Sequence, residues 1–231
     1  MEIGERRTAL DRFYRQLAML EAGVGGKRLL HKCHGQMDWP QRGVYFFFEE
    51  DEFREDGITP RVVRVGTHGL RTSSSTLWGR LSQHRGSRDG AKPGGGNHRG
   101  SIFRLHVGAA LLSGDDWPVE VRSTWGVGNT AKGKIREEEY ALEAAVSRYI
   151  GAMPFLWLAV DDEPSADSER GVIEAGAISL LSNFEREPID APSHSWLGLR
   201  SNRKAIQKSG LWNVRHVSDA SSKSFLAHIL V

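Results

Sequence analysis

The chain has 231 residues, 39% of them hydrophobic, with 31 Lys/Arg, 29 Asp/Glu and a formal net charge of +2. That is enough apolar material for one domain with elaborations, and it excludes a disordered polyelectrolyte. No apolar run approaches the roughly 20 residues of a membrane span, Met1 to Phe13 has no signal-peptide core, and the single Cys33 cannot form an internal disulfide, so a cytoplasmic protein with no membrane partner is expected.

The charge is unevenly spread. Arg61 to Arg104 carries nine Lys/Arg against one acid, Asp89, and His194 to Val231 carries six against one, Asp219. Such segregation is the footprint of a polyanion-binding face. The alternative is that basic and acidic segments neutralise each other in the fold.

Leu10, Phe13, Leu17 and Leu20 recur at three- and four-residue steps, which predicts a helix over residues 5–21. The loop that follows holds His31, Cys33 and His34. Their spacing lacks the paired Cys-x-x-Cys of strong zinc sites, and a buried thiol is the simpler reading of Cys33. Gly43 to Phe48 is an apolar run of strand length, Glu49 to Gly57 reads as a charged, solvated connection, and Arg61 to Gly66 is a second strand. The hydroxyl run Thr72 to Ser75 suits a helix cap, with a helix over 76–85. Gly86 to Gly100 holds six Gly and one Pro and forms a basic loop. Ile102 to Leu112 is a short apolar element of undetermined type. Ile135 to Ile150 predicts a helix, Phe155 to Val160 a third strand, and Ser168 caps a helix running to about Phe184. Trp196 and Trp212 read as anchors for the tail.

Three placements carry chemistry. Arg80 and His84 share a helix face at the edge of the Leu77/Leu81 stripe, pairing a phosphate-gripping guanidinium with a group that moves protons near neutrality. An exposed basic helix face is the plainer explanation of that pair. Glu174 falls inside the apolar arc of Ile173, Ala177, Leu181 and Phe184, where a carboxylate is costly unless paired or bound to a cation. It serves either as a ligand for Mg²⁺ or Mn²⁺ or as an ion-pair partner of Arg170. Tyr45 is the one polar side chain in its strand, and a core aromatic with a bonded hydroxyl is the alternative to a reactive phenol.

Together these residues resemble the GIY-YIG nuclease superfamily. Gly43-Val44-Tyr45 matches the first strand motif and Arg64-Val65-Gly66 the second, with Arg64 where the family usually has Tyr. Arg80 and His84 match the Arg and His of the following helix. Ile173-Glu174-Ala175 matches the metal-binding Glu after the third strand, with Glu143 as a rival. Asn183 is the nearest match to a terminal Asn.

The resemblance implies an α/β (α+β) fold, a small antiparallel three-stranded sheet flanked by helices. It places the nuclease domain at 43–185 with an insertion at about 86–154, behind an N-terminal helical extension (1–42) and before a basic C-terminal tail (186–231). It implies a metal-dependent DNA endonuclease, with RNA also compatible as substrate. Tyr45, Arg64, Arg80, His84 and Glu174 would be catalytic, and Glu174 would bind Mg²⁺ or Mn²⁺. Arg85, Asn97, His98, Arg99, Arg104 and Asn183 would grip nucleic acid, and cleavage of both strands would call for a homodimer. Arg64 in place of a phenol also fits a module that binds nucleic acid without cutting it.

Overall fold

The computed structural model describes residues 1–70, 74–90, 92–114, 116–165 and 167–229. Helix α1 spans Ile3–Gly23 and buries the predicted stripe of Leu10, Phe13, Leu17 and Leu20. Strands β1 (Arg28–Leu29), β2 (Gly43–Phe53), β3 (Pro60–Gly66) and β4 (Pro154–Ala159) form one antiparallel sheet in the order β1-β4-β2-β3. The three expected strands are its body, and the two-residue β1 adds a fourth.

Strand β2 is apolar on both faces because both faces are covered. Val44, Phe46 and Phe48 pack toward α1 and α7 (Glu169–Leu181). Tyr45 and Phe47 pack on the opposite side, toward α2 (Leu77–Arg85), α3 (Ile102–Leu112) and α6 (Tyr140–Ala152). Two short helices, α4 (Val119–Thr124) and α5 (Gly133–Glu138), lie between α3 and α6, and α8 (Lys204–Ser209) lies in the tail. Among the described residues no helix is long and apolar enough to cross a membrane.

Local chemistry sets the helix boundaries. Thr76 Oγ1 accepts from the Gly79 amide at 2.9 Å and opens α2, so the cap is Thr76; Thr72 and Ser73 of the hydroxyl run lie outside the described residues. Ser101 and Ser168 cap α3 and α7 through the amides of Arg104 and Gly171. The helix expected over 135–150 is two, divided at Glu139. That carboxylate is 1% exposed and meets the Arg99 guanidinium in two bonds of 2.6 and 2.8 Å.

Two further features depart from expectation. Strand β2 runs on to Phe53, so Glu49 to Phe53 is not a solvated loop. Glu52 is 2% exposed and ion-paired with Arg61 at 2.5 Å. Glu49 accepts the indole N–H groups of Trp196 and Trp212 at 3.0 and 2.7 Å and the Tyr149 hydroxyl at 2.6 Å. The tail is docked by these bonds, which is what its two tryptophans supply. The β2–β3 ladder also shifts register: Phe47 pairs with Arg64 but Phe48 with Val62, leaving Val63 as a bulge. The Val63 carbonyl turns outward and accepts the Trp212 amide at 2.7 Å.

Candidate active site

A cleft of about 760 Å³ opens at the Gly66 end of β3. Tyr45, Arg64, Arg80 and Glu174 line it together, although 129 positions separate the first from the last.

Tyr45 forms the floor and has no exposed surface. It sits directly across the ladder from Gly66. A Cβ at position 66 would stand 2.5 Å from Tyr45 Cζ and closer still to the hydroxyl, so the glycine of the second motif makes room for the phenol of the first. Behind Tyr45 lies His84, with its Nε2 2.8 Å from the hydroxyl and its Nδ1 2.7 Å from Ser101 Oγ. Ser101 Oγ is also the cap of α3, so the imidazole is fixed by a helix terminus. Burial holds the His84 pKa well below the usual imidazole range, and the charges of Arg80, Arg64 and Arg104 lower it further.

Arg80 stands on the rim, its Nη1 donating to the Gly100 carbonyl at 3.1 Å and to Gln83 at 3.0 Å. Arg64 is buried on the same side of the sheet as Tyr45. Its Nη1 donates to the Trp212 carbonyl at 2.7 Å, and its guanidinium lies 4.6 Å from the centre of the Phe103 ring. Burial lowers its pKa, partly offset by Tyr45 and Glu174.

Glu174 projects from α7 and accepts the Thr67 amide at 3.2 Å, its only hydrogen bond among the described residues. Burial pushes its pKa up, against the pull of Arg64, the Thr67 amide, His216 and Arg80. The ion pair with Arg170 does not form: Arg170 bonds Asp162 and the His68 carbonyl. The rival Glu143 is fully engaged. It meets Arg104 at 2.5 and 3.0 Å and His98 Nδ1 at 2.9 Å, and these partners pull its pKa down against desolvation.

The other residues marked by the sequence have separate locations. Arg104 has no exposed surface and ties Glu143 to the His84 carbonyl at 2.9 Å. His98 is 2% exposed, stacks on Trp125 at 3.8 Å and accepts the Gly126 amide at Nε2, so Nδ1–H donates to Glu143. Arg99 is spent on Glu139. These three brace the Gly-rich loop from inside. Arg85 reaches the Cys33 carbonyl at 2.6 Å and lies over Trp78, while Asn97 is exposed beside it along a second groove shared with Lys92 and Arg136. Asn183 is not in the cleft; its Oδ1 accepts from Arg6 at 2.9 Å and from the Ile189 amide at 3.0 Å. Cys33 is buried, His31 Nδ1 bonds the Gly151 carbonyl at 2.7 Å, and no group of three His, Cys, Asp or Glu among the described residues is placed to hold a metal.

Sequence reasoning missed the cleft residues Thr67, His68, His106, Arg203 and Asn213. Asn213 pairs with both backbone groups of Val65, at 2.8 and 3.1 Å, and so acts as a strand residue on the outer edge of β3. Its Leu-Trp-Asn segment stands out in composition, but nothing local in sequence says which edge it meets.

A small antiparallel sheet between helices thus carries a phenol, an arginine and a carboxylate on one cleft. A family model described as the GIY-YIG domain matches residues 4–230, and the chain belongs to this family of nucleases. No curated protein and no solved structure matches it.

Proposed function

We propose that the protein is a metal-dependent endonuclease that hydrolyses phosphodiester bonds in DNA. The observation that carries this reading is the line Ser101–His84–Tyr45, ending on the floor of a cleft that Arg80 and Glu174 also face.

Glu174 fits a cation site of the magnesium kind. It is a single cleft-facing carboxylate with one amide bond, and Mg²⁺ is commonly held by one or two carboxylates with water and substrate phosphate. A bound Mg²⁺ or Mn²⁺ would supply charge to polarise the scissile phosphate and the leaving oxygen.

The protein's own groups divide the remaining work. Neutral His84 accepts the Tyr45 proton at Nε2 while its Nδ1–H donates to Ser101. The Tyr45 oxygen is then free to take a proton from the attacking water. The surrounding arginines disfavour imidazolium, so the proton does not rest on His84: it passes back to Tyr45 as Tyr45 releases the water-derived proton to solvent in the cleft. Arg80, on the rim, offsets charge that grows on the phosphate. Arg85 and Asn97 offer backbone contacts along the adjoining groove. In this reading residues 43–185 carry the nuclease domain, the insertion at 86–154 braces it, and the tail closes the cleft.

A second reading, a module that binds nucleic acid without cutting it, is favoured by Arg64, a cation that cannot act as a base, where the family usually has a phenol.

The test is nicking of supercoiled plasmid with Mg²⁺ or Mn²⁺, beside Glu174→Ala and an EDTA control. Cleavage lost in both controls supports the enzyme. Salt-sensitive binding without cleavage supports the second reading.

A further inference from the structure

We infer that Arg64, His106 and Arg203 form a pocket for a second phosphate of the bound strand, next to the one that is cleaved. This deepens the nuclease reading and rests on it.

The first observation is a buried cation whose charge Tyr45 and Glu174 offset only in part. Arg64 is 6% exposed, yet no carboxylate pairs with it among the described residues, and its Nε has no hydrogen-bond partner. Its one backbone bond, to the Trp212 carbonyl, is to a neutral group. A buried guanidinium with no ion-pair contact is expensive, and an arriving anion lowers that cost.

The second observation is a further unfilled group at the same corner. His106 is 3% exposed on α3, and its Nε2 also lacks a partner. Burial and the charges of Arg64 and Arg203 hold it neutral down to about pH 4, so it offers a neutral imidazole edge to an oxygen rather than a charge.

The third is the supply of positive charge from the tail. Arg203 precedes α8, is exposed, and its guanidinium has no partner among the described residues. Arg203 therefore closes the corner from solvent while Arg64 closes it from the core. Fork-shaped donors of this kind grip phosphate oxygens in pairs. The cleft, at about 760 Å³, is of the size that encloses a drug-sized ligand, larger than one phosphodiester group needs.

The experiment measures binding of a non-specific DNA duplex without divalent ions across a range of salt, together with plasmid nicking in Mg²⁺. Arg203→Gln is the main variant because its exposed side chain bears no structural contact. Arg15→Gln, at an exposed position on α1 outside the cleft, is the control. Arg203→Gln should flatten the slope of log K against log salt by about one and weaken binding roughly fivefold near physiological salt, with Arg15→Gln unchanged. In nicking, Arg203→Gln should raise KM more than it lowers kcat. If the wild type nicks and Arg203→Gln keeps the wild-type slope and KM, the pocket is overturned and the nuclease reading stands. If the wild type binds without nicking, the nuclease reading fails while the slope still decides the pocket. If it neither binds nor nicks, both fall.

Discussion

Tyr45 and Gly66 face each other across the β2–β3 ladder so closely that the phenol occupies the space of a side chain at position 66. The two motifs of the family meet here as one packing unit. Gly66→Ala should push the phenol away from His84, abolish nicking and cost about 1–3 kcal/mol, the usual penalty for overpacking. Nicking and urea unfolding measured on the same preparation check both parts. Full activity would remove Tyr45 from the reaction.

Tyr45→Phe isolates the hydroxyl. The ring packing is kept, while His84 Nε2 loses its 2.8 Å partner. Turnover should fall roughly 10²- to 10⁴-fold, the range expected for a lost general base, with duplex affinity in the absence of metal unchanged. A tenfold loss or less in single-turnover nicking would make the phenol a packing element.

The two carboxylates separated by their partners should also separate by mutation. Glu143→Ala leaves Arg104 buried without its counter-charge and the His98 Nδ1–H without its acceptor, and should cost roughly 3–5 kcal/mol. Glu174→Ala removes a desolvated acid with a single amide bond and should leave the melting temperature level or higher while ending cleavage. Calorimetry and nicking on both variants give four readings, and an exchange of the two patterns would make Glu143 the functional acid.

Glu49 links pH to the docking of the tail. Burial raises its pKa against three hydrogen bonds that favour the ionised form. A carboxyl raised on folding binds its proton more tightly in the native state. Its contribution to stability is therefore largest below the unfolded value of about 4.3 and declines as pH rises through the higher native value. Glu49→Gln keeps an acceptor for both indoles and carries no such dependence. Wild-type stability minus that of Glu49→Gln should fall as pH rises across this window and then level off. Glu49→Ala orphans three donors and should cost on the order of 2–4 kcal/mol at neutral pH. Thermal unfolding at several pH values tests both; a flat difference curve would deny Glu49 this role.

Much of the fold was legible because its periodicities are strong. The α1 stripe, the strands at Gly43 and Phe155, and the cap at Ser168 all follow from local chemistry, while the cap of α2 is Thr76, one residue past the hydroxyl run that the sequence pointed to. Tyr45, Arg64, Arg80 and Glu174 share a cleft because short motifs in fixed order mark a family. The illegible parts share a cause, since each depends on a partner far away in sequence. Glu49 looks like a surface acid until three aromatic donors from two distant segments converge on it. Arg99, Arg104 and His98 look like a nucleic-acid grip in a basic loop, but Glu139 and Glu143 turn them inward. Asn213 enters the site through bonds to both backbone groups of Val65, next to the Trp212 amide that bonds the carbonyl of the bulged Val63.

That last arrangement bears on solubility. A sheet edge left open is a template on which another chain can add a strand. The edge formed by Val63 and Val65 is already occupied, by the Trp212 amide and by both ends of the Asn213 amide. Loss of these contacts would uncover a short, valine-rich edge whose free N–H and C=O groups invite a second molecule. The segment that walls the cleft is thus also what keeps one copy of the sheet from zipping onto the next.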